Sequence, residues 1–244
     1  MTHRRLSLVA TLGLALLTVH AGHAVAASAT DGIAAPSASD RKGYAPQSPL
    51  LAAILDYRAG QFETAARAFT TLAQAGEPVA MHNLAVMHLR NELPGASLAI
   101  ARSWLEKAAS AGFVTAQLAM SELHESGRLG RKDPAAALPW LEAAAASGHV
   151  DAQINVGSAH YLGRGTARDE RQALHWYREA AKAGDVGAQY LTASMYESGL
   201  GTEADARLAR YWYDRAARQG DPVARIKRAE MDQRLKSGAA VGEP

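Results

Sequence analysis

The 244-residue chain contains no cysteine. That absence removes a disulfide framework, a thiolate zinc site, a cysteine nucleophile and a lipid anchor on cysteine. Aromatic residues make up only 6%, which leaves little material for the exposed platforms that hold glycans. Charge of one sign is lacking as well: 26 Lys and Arg stand against 24 Asp and Glu. Arg4 and Arg5 fall in a segment expected to be removed, which leaves the remaining chain balanced. Such a chain has no electrostatic reason to bind nucleic acid or an anionic membrane surface. The longest apolar run, Leu6 to Val19, has 14 residues and is too short to span a bilayer comfortably. What remains is 48% hydrophobic and 20% charged, the composition of a globular protein.

The first segment reads as an address. A short basic stretch, Met1 to Arg5, precedes the apolar run, and Ala24-Val25-Ala26 supplies the small-x-small pattern of signal peptidase. Cleavage near Ala26 would place the protein in a bacterial periplasm or beyond it. Residues 27–48 are rich in Ala, Ser, Pro and Gly and read as a flexible leader.

The rest of the chain repeats itself. Gly76, Gly112, Gly148, Gly184 and Gly220 recur at a spacing of 36 residues. The same offset links Ala80, Ala116, Ala152, Ala188 and Ala224, and it links Ala101, Ala137, Ala173 and Ala209. It also places all four tryptophans, Trp104, Trp140, Trp176 and Trp212, in one column. A fixed period of this length marks a stacked-repeat architecture.

Each unit reads as two helices. Ala173, Trp176, Tyr177, Ala180 and Ala181 follow the i, i+3, i+4, i+7, i+8 spacing of a core-facing helix stripe, which predicts the tryptophan column to be buried between repeats as anchors. Ser97, Asp133, Asp169 and Asp205 mark the start of this second helix as N-caps, and the recurring glycine closes it. Ala152, Val156, Gly157 and His160 form the inward stripe of the first helix. The Gly163-Arg164-Gly165 and Gly199-Leu200-Gly201 turns resemble phosphate loops only superficially. No strand precedes them and no Gly-Lys-Ser/Thr follows, so positive φ in a tight turn is their use. Pro139 falls within a second helix and predicts either a kink or a start near Leu138. Residues 49–76 read as a degenerate opening unit, 77–220 as four full repeats, 221–236 as a charged capping helix and 237–244 as a disordered tail. A repeat stack needs such water-facing ends.

Together the pattern Ala-x-x-x-Leu-Gly-x-x-Tyr-x-x-Gly-x-Gly and the following Ala-x-x-Trp-Tyr-x-x-Ala-Ala-x-x-Gly resemble the Sel1-like repeat, a tetratricopeptide-type family. Ala152, Val156, Gly157, His160, Gly163, Gly165, Asp169, Ala173, Trp176, Tyr177, Ala180, Ala181 and Gly184 carry it, and residues 188–220 repeat it. The unit at 77–112 departs from it, with Asn91-Glu92-Leu93-Pro94 in place of the glycine loop. The resemblance implies an all-α fold, a right-handed superhelical solenoid of helix–turn–helix repeats. Its members commonly act as adaptors for other proteins, and exported bacterial ones serve envelope signalling, polysaccharide export or host interaction.

No catalytic set emerges from the residues. His88, His124 and His160 share a column continued by Tyr196, but equivalent positions in successive helix pairs stand about 10 Å apart or more. One zinc needs nitrogens about 2.0–2.1 Å from the ion, so packed imidazoles are expected and neither metal nor cofactor. Ser158 has no base placed beside it, and Glu122 and Glu125 are a solvated pair. An enzymatic reading as a β-lactamase-like hydrolase lacks both the cysteines of that group and an SxxK nucleophile. The expected function is therefore binding of a protein or peptide partner on the concave side of the first helices. Helical phase assigns Asn83, Val86 and Arg90 to that face, then Thr115 and Glu122, then Asp151, Asn155 and Ser158, and finally Leu191 and Ser194.

Overall fold

The computed structural model describes residues 48–240, with side chains through residue 237. The expected signal segment at 1–26, the leader up to 47 and residues 241–244 lie outside the described residues. Among the described residues every regular element is a helix.

The chain divides between Ser147 and Gly148 into two compact units. The first contains α1 (Pro49–Arg58), α2 (Phe62–Gln74), α3 (Pro78–Leu89), α4 (Leu98–Ser110), α5 (Val114–Ser126) and α6 (Pro134–Ala146). The second contains α7 (Val150–Leu162), α8 (Glu170–Lys182), α9 (Val186–Ser198), α10 (Ala206–Arg218) and α11 (Pro222–Ala240). Within each unit every helix packs on its sequence neighbour, the two helices of one repeat against each other and then against the next.

The caps are those the residues dictate. Asp169 Oδ1 accepts from the amides of Arg171 and Gln172 at 2.9 and 3.1 Å, and Asp205 repeats this on Arg207 and Leu208. Asp133 caps α6 through Ala136, and Ser97 caps α4 through Ala99. Each such bond satisfies an amide that the helix itself leaves without a partner, a contribution of about 1 kcal/mol. The helix holding Pro139 begins at Pro134 and not near Leu138, because the Asp133 cap fixes its start. The glycines spaced by 36 all take positive φ where second helices end. First helices close on Gly127, Gly163 and Gly199, at φ 79°, 70° and 72°. The same column holds Asn91 in the departing repeat, and Asn91 adopts φ 61°. Asparagine is among the few residues that tolerate this region, so the turn keeps its backbone form without its glycine.

The core corrects one expectation. Trp104, Trp140 and Trp176 are only half-buried, and Trp212 alone of the four is buried. The anchoring column lies one residue later, at Leu105, Leu141, Tyr177 and Tyr213, all buried and three of them completely so. Trp176 instead lies edge-on to His175, with ring centroids 5.0 Å apart, and the Lys107 ammonium sits 4.4 Å over Trp104. Alanines at 101, 137, 173 and 209 are wholly buried, where small side chains let helices approach closely.

The last helix replaces buried columns by charged ones. At the 36-residue offset Lys227 stands where α9 has Leu191, Arg228 where it has Thr192, and Glu230 where it has Ser194. Lys227 reaches Glu197 at 3.3 Å and Arg228 reaches Asp214 at 3.3 Å. The helix runs on to Ala240, through residues 237–240 that the sequence assigns to a disordered tail.

Candidate functional site

The first helices carry the polar residues that chemistry would need, and the structure commits most of them to architecture. His124 and His160 expose their backbone carbonyls to the loop, where the amides of Asp133 and Asp169 donate at 2.9 Å each. Tyr196, next in the column, accepts from Asp205 at the same distance. The Asp that caps the second helix thus also ties the loop back to the first. Side chains of this column are buried at His160 and Tyr196 and half-buried at His88 and His124. Burial holds the His88 imidazole below the ordinary histidine range. Among the described residues no three carboxylate or imidazole groups come together as a metal set.

Ser158 is 5% exposed. Its hydroxyl donates to the Ile154 carbonyl at 2.8 Å and lies 3.0 Å from the Tyr177 hydroxyl. Burial raises the Tyr177 phenol well above its ordinary value, so this pair exchanges a hydrogen bond between neutral hydroxyls. Tyr213, the equivalent residue, donates to Glu197 Oε2 at 2.7 Å, and burial followed by the carboxylate raises its phenol too. Neither arrangement supplies a base to a nucleophile.

A second recurring tie escaped the sequence reading. Gln117 Nε2 donates to the Ala109 carbonyl at 3.2 Å, and Gln189 Nε2 donates to the Ala181 carbonyl at 3.2 Å. Each glutamine is buried on a first helix and reaches back to the end of the preceding second helix, whose last carbonyls lack helical partners. The signal is Gln117, Gln153 and Gln189 at the 36-residue spacing, beside the columns of Ala116, Ala152 and Ala188, but a glutamine in sequence does not announce its own burial.

The expected partner-binding residues divide into two groups. Arg90 and Asp151 are exposed, and Thr115, Glu122 and Asn155 are half-buried. Asn83, Val86, Ser158, Leu191 and Ser194 are buried, with Val86 and Leu191 fully so. Burial takes them out of any docking surface, because the first helices pack on more sides than a single core stripe allows: α3 is buried at every residue from Ala80 to Met87. Arg90 bonds the Tyr57 hydroxyl at 2.9 Å, and that hydroxyl donates to Glu92 at 2.9 Å, so this cation is braced in place.

In the second unit an open cleft of about 680 Å3 lies between the two loops, lined by Arg168 to Arg171 on one side and Gly199, Gly201, Thr202 and Glu203 on the other. Its floor requires glycine. A Cβ on Gly201, at φ 73°, would stand 2.2 Å from the Glu170 carbonyl oxygen. Arg168 and Glu170 pair along one rim at 2.5 Å, and the lining mixes both signs of charge.

Comparison with known proteins bears on these features. The family model described as Sel1 repeat matches residues 78–113, 114–149, 150–185 and 186–221, the register of the repeats seen here. A Sel1 repeat protein from Oxalobacter formigenes is 33% identical with a TM-score of 0.54, over 72% of this chain and 49% of that one. The protein c5321, a protective antigen present in uropathogenic Escherichia coli strains displaying an SLR fold, is 27% identical with a TM-score of 0.61. That match covers 77% of this chain and 41% of the antigen. The chain therefore spans about half or less of the length of these relatives. None of the curated proteins matches it.

Proposed function

We propose, from the fact that the chain belongs to the Sel1 repeat family, that it is an exported adaptor of the bacterial cell envelope. Sel1 repeat proteins generally serve as protein-interaction scaffolds, and repeat stacks present long surfaces suited to that work. The observation that carries the reading is the commitment of polar side chains to structure. Ser158, the capping aspartates and the glutamines all satisfy backbone or neighbouring groups, which leaves exposed helix surface as the working part. Arg90, Thr115 and Glu122 in the first unit, and Asp151 and Asn155 in the second, are the accessible remainder of the expected partner-binding set. Export rests on the Arg-flanked apolar run and Ala24-Val25-Ala26. No described helix is long and apolar enough to cross a membrane.

N-terminal sequencing of the protein recovered from an envelope fraction should begin near Ala27. Crosslinking in the same extract should capture a protein partner in a discrete complex. Intact Met1 in a soluble cytoplasmic fraction would remove the envelope role, and a chain that never crosslinks would remove the adaptor. The likeness to a protective antigen favours one second reading, a secreted factor that meets host proteins. Detection of the protein in culture medium would select it.

A further inference from the structure

The chain as a whole is close to neutral, yet residues 206–237 hold nine Lys and Arg side chains against four carboxylates. The excess is not spread evenly. Asp214 of α10 pairs with Arg228 of α11, and Arg210 of α10 pairs with Asp232 of α11. These pairings run in opposite chain directions, so the two helices are antiparallel and their register extends to either side. Arg207 then falls opposite Lys236 beyond one end of the paired stretch, and Arg225 lies beyond the other, opposite Arg218, which pairs with Asp214 at 2.7 Å. Lys236 does sit close to Asp232, whose carboxyl is held below its ordinary range by Arg210, then by Arg228 and Lys236. Arg207, Arg225 and Lys236 are exposed and make no ion pair among the described residues. Between the two cationic ends lies Tyr211, 48% exposed, with Arg215 donating to its hydroxyl at 3.2 Å. Tyrosine and arginine at a partly desolvated surface are the residue types that dominate binding energies.

We propose that the seam between α10 and α11 docks a protein segment with two acidic ends and an uncharged middle. This deepens the adaptor reading and rests on it. Arg225 and Lys236 are separated by eleven helical residues on α11, about 16 Å of rise, which sets the spacing of the partner's carboxylates. The middle is uncharged because Asp214 and Asp232 lie there already paired with arginines, and Arg215 is held to the Tyr211 hydroxyl, beside the exposed Leu208. A nucleic acid, with phosphates at every step, would place negative charge on those two carboxylates. A bilayer would need a continuous apolar stripe on α11, but Ala224 and Met231 are buried, and Val223 and Ile226 are its only exposed large apolar residues among those described.

The test uses the mature chain and a fluorescein-labelled peptide carrying Glu pairs at both ends of an Ala/Leu middle of about eleven residues. Anisotropy should show saturable binding that weakens with added salt. The Arg207→Glu/Arg225→Glu variant should lose about tenfold or more in affinity, while Arg102→Glu on α4 should not change it. Far-UV circular dichroism would confirm that each variant is folded. Equal binding by parent and double variant overturns the proposal, as does tighter binding to polyglutamate, to an oligonucleotide or to phosphatidylglycerol vesicles. Crosslinking separates the two levels. A partner captured by the parent and kept by the double variant removes the seam but leaves the adaptor, whereas no partner for the parent removes the adaptor itself.

Discussion

Replacing Gly157 by alanine should destabilise the second unit through a single contact. A Cβ built at Gly157 would lie 2.9 Å from both Cδ1 and Cε1 of Tyr177. Carbon atoms in contact settle at about 3.5–4.0 Å, so the ring would have to withdraw by about half an ångström or more. Tyr177 has no room for this: its side chain is wholly buried, and its hydroxyl is held 3.0 Å from Ser158. Overpacking of this kind costs about 1–3 kcal/mol, offset in part by the roughly 0.5–1 kcal/mol that alanine gains over glycine inside a helix, and for a chain of this size each kcal/mol moves the melting point by about 2–4 °C. The column of Tyr177 accepts leucine in the first unit, at Leu105 and Leu141. Tyr177→Leu should therefore relieve Gly157→Ala, with a coupling of about 0.5–3 kcal/mol in a double-mutant cycle. Urea and thermal melts of the parent, both single variants and the pair give the four values. A Gly157→Ala variant more stable than the parent by about 0.5 kcal/mol or more, beyond a typical error for additive sites, would refute the reasoning. So would strict additivity.

Tyr177→Ala should cost about 3–5 kcal/mol and Trp176→Ala less than half as much, since the indole is only half-buried; urea midpoints in the reverse order would show the anchor misplaced. Asn91→Gly should be close to neutral and Asn91→Val should lose about 1–2 kcal/mol, the left-handed penalty of a residue with a branched Cβ; equal midpoints would show that this turn does not constrain φ. His88 gives a pH dependence of fixed sign. Burial lowers its folded value, so its stability contribution is present above the unfolded value of about 6.5 and is lost as pH falls through it. The melting temperature should drop between about pH 7.5 and pH 5.5, and His88→Gln should reduce that drop.

The fold was legible because a 36-residue period repeats geometry as well as residue type. Capping aspartates and closing glycines are local rules, and Asp169, Asp205 and Gly184 obey them without help from the rest of the chain. Trp176 was misjudged because helical phase resolves a face only to within one residue. Neighbouring columns 100° apart are separated by tertiary packing, which placed Tyr177 inward and Trp176 at the edge. The same uncertainty undid half of the expected surface. Ser158 and Leu191 lie on the side opposite the first core stripe, and a single-stripe wheel assigns such positions to solvent. These first helices are enclosed on more than one side, and no periodicity within one helix records how many neighbours surround it. The charged seam of α10 and α11 was half legible: the basic residues were read as a cap, but their pairing across two helices needed the register.

The glutamine ties bear on where the chain can be cut. Gln117 and Gln189 join the end of one second helix to the first helix of the following repeat, so the hydrogen-bonded module straddles the repeat boundary. A fragment trimmed to one repeat, 78–113, would take the Gln117 amide from the Ala109 carbonyl and leave it that of Gly112 alone. A fragment running from α4 through α5 keeps that bond within a single piece. Shortened or lengthened versions of this protein should therefore be built by adding or removing blocks that begin at a second helix, and shuffled at the loops closed by Asn91, Gly127, Gly163 and Gly199.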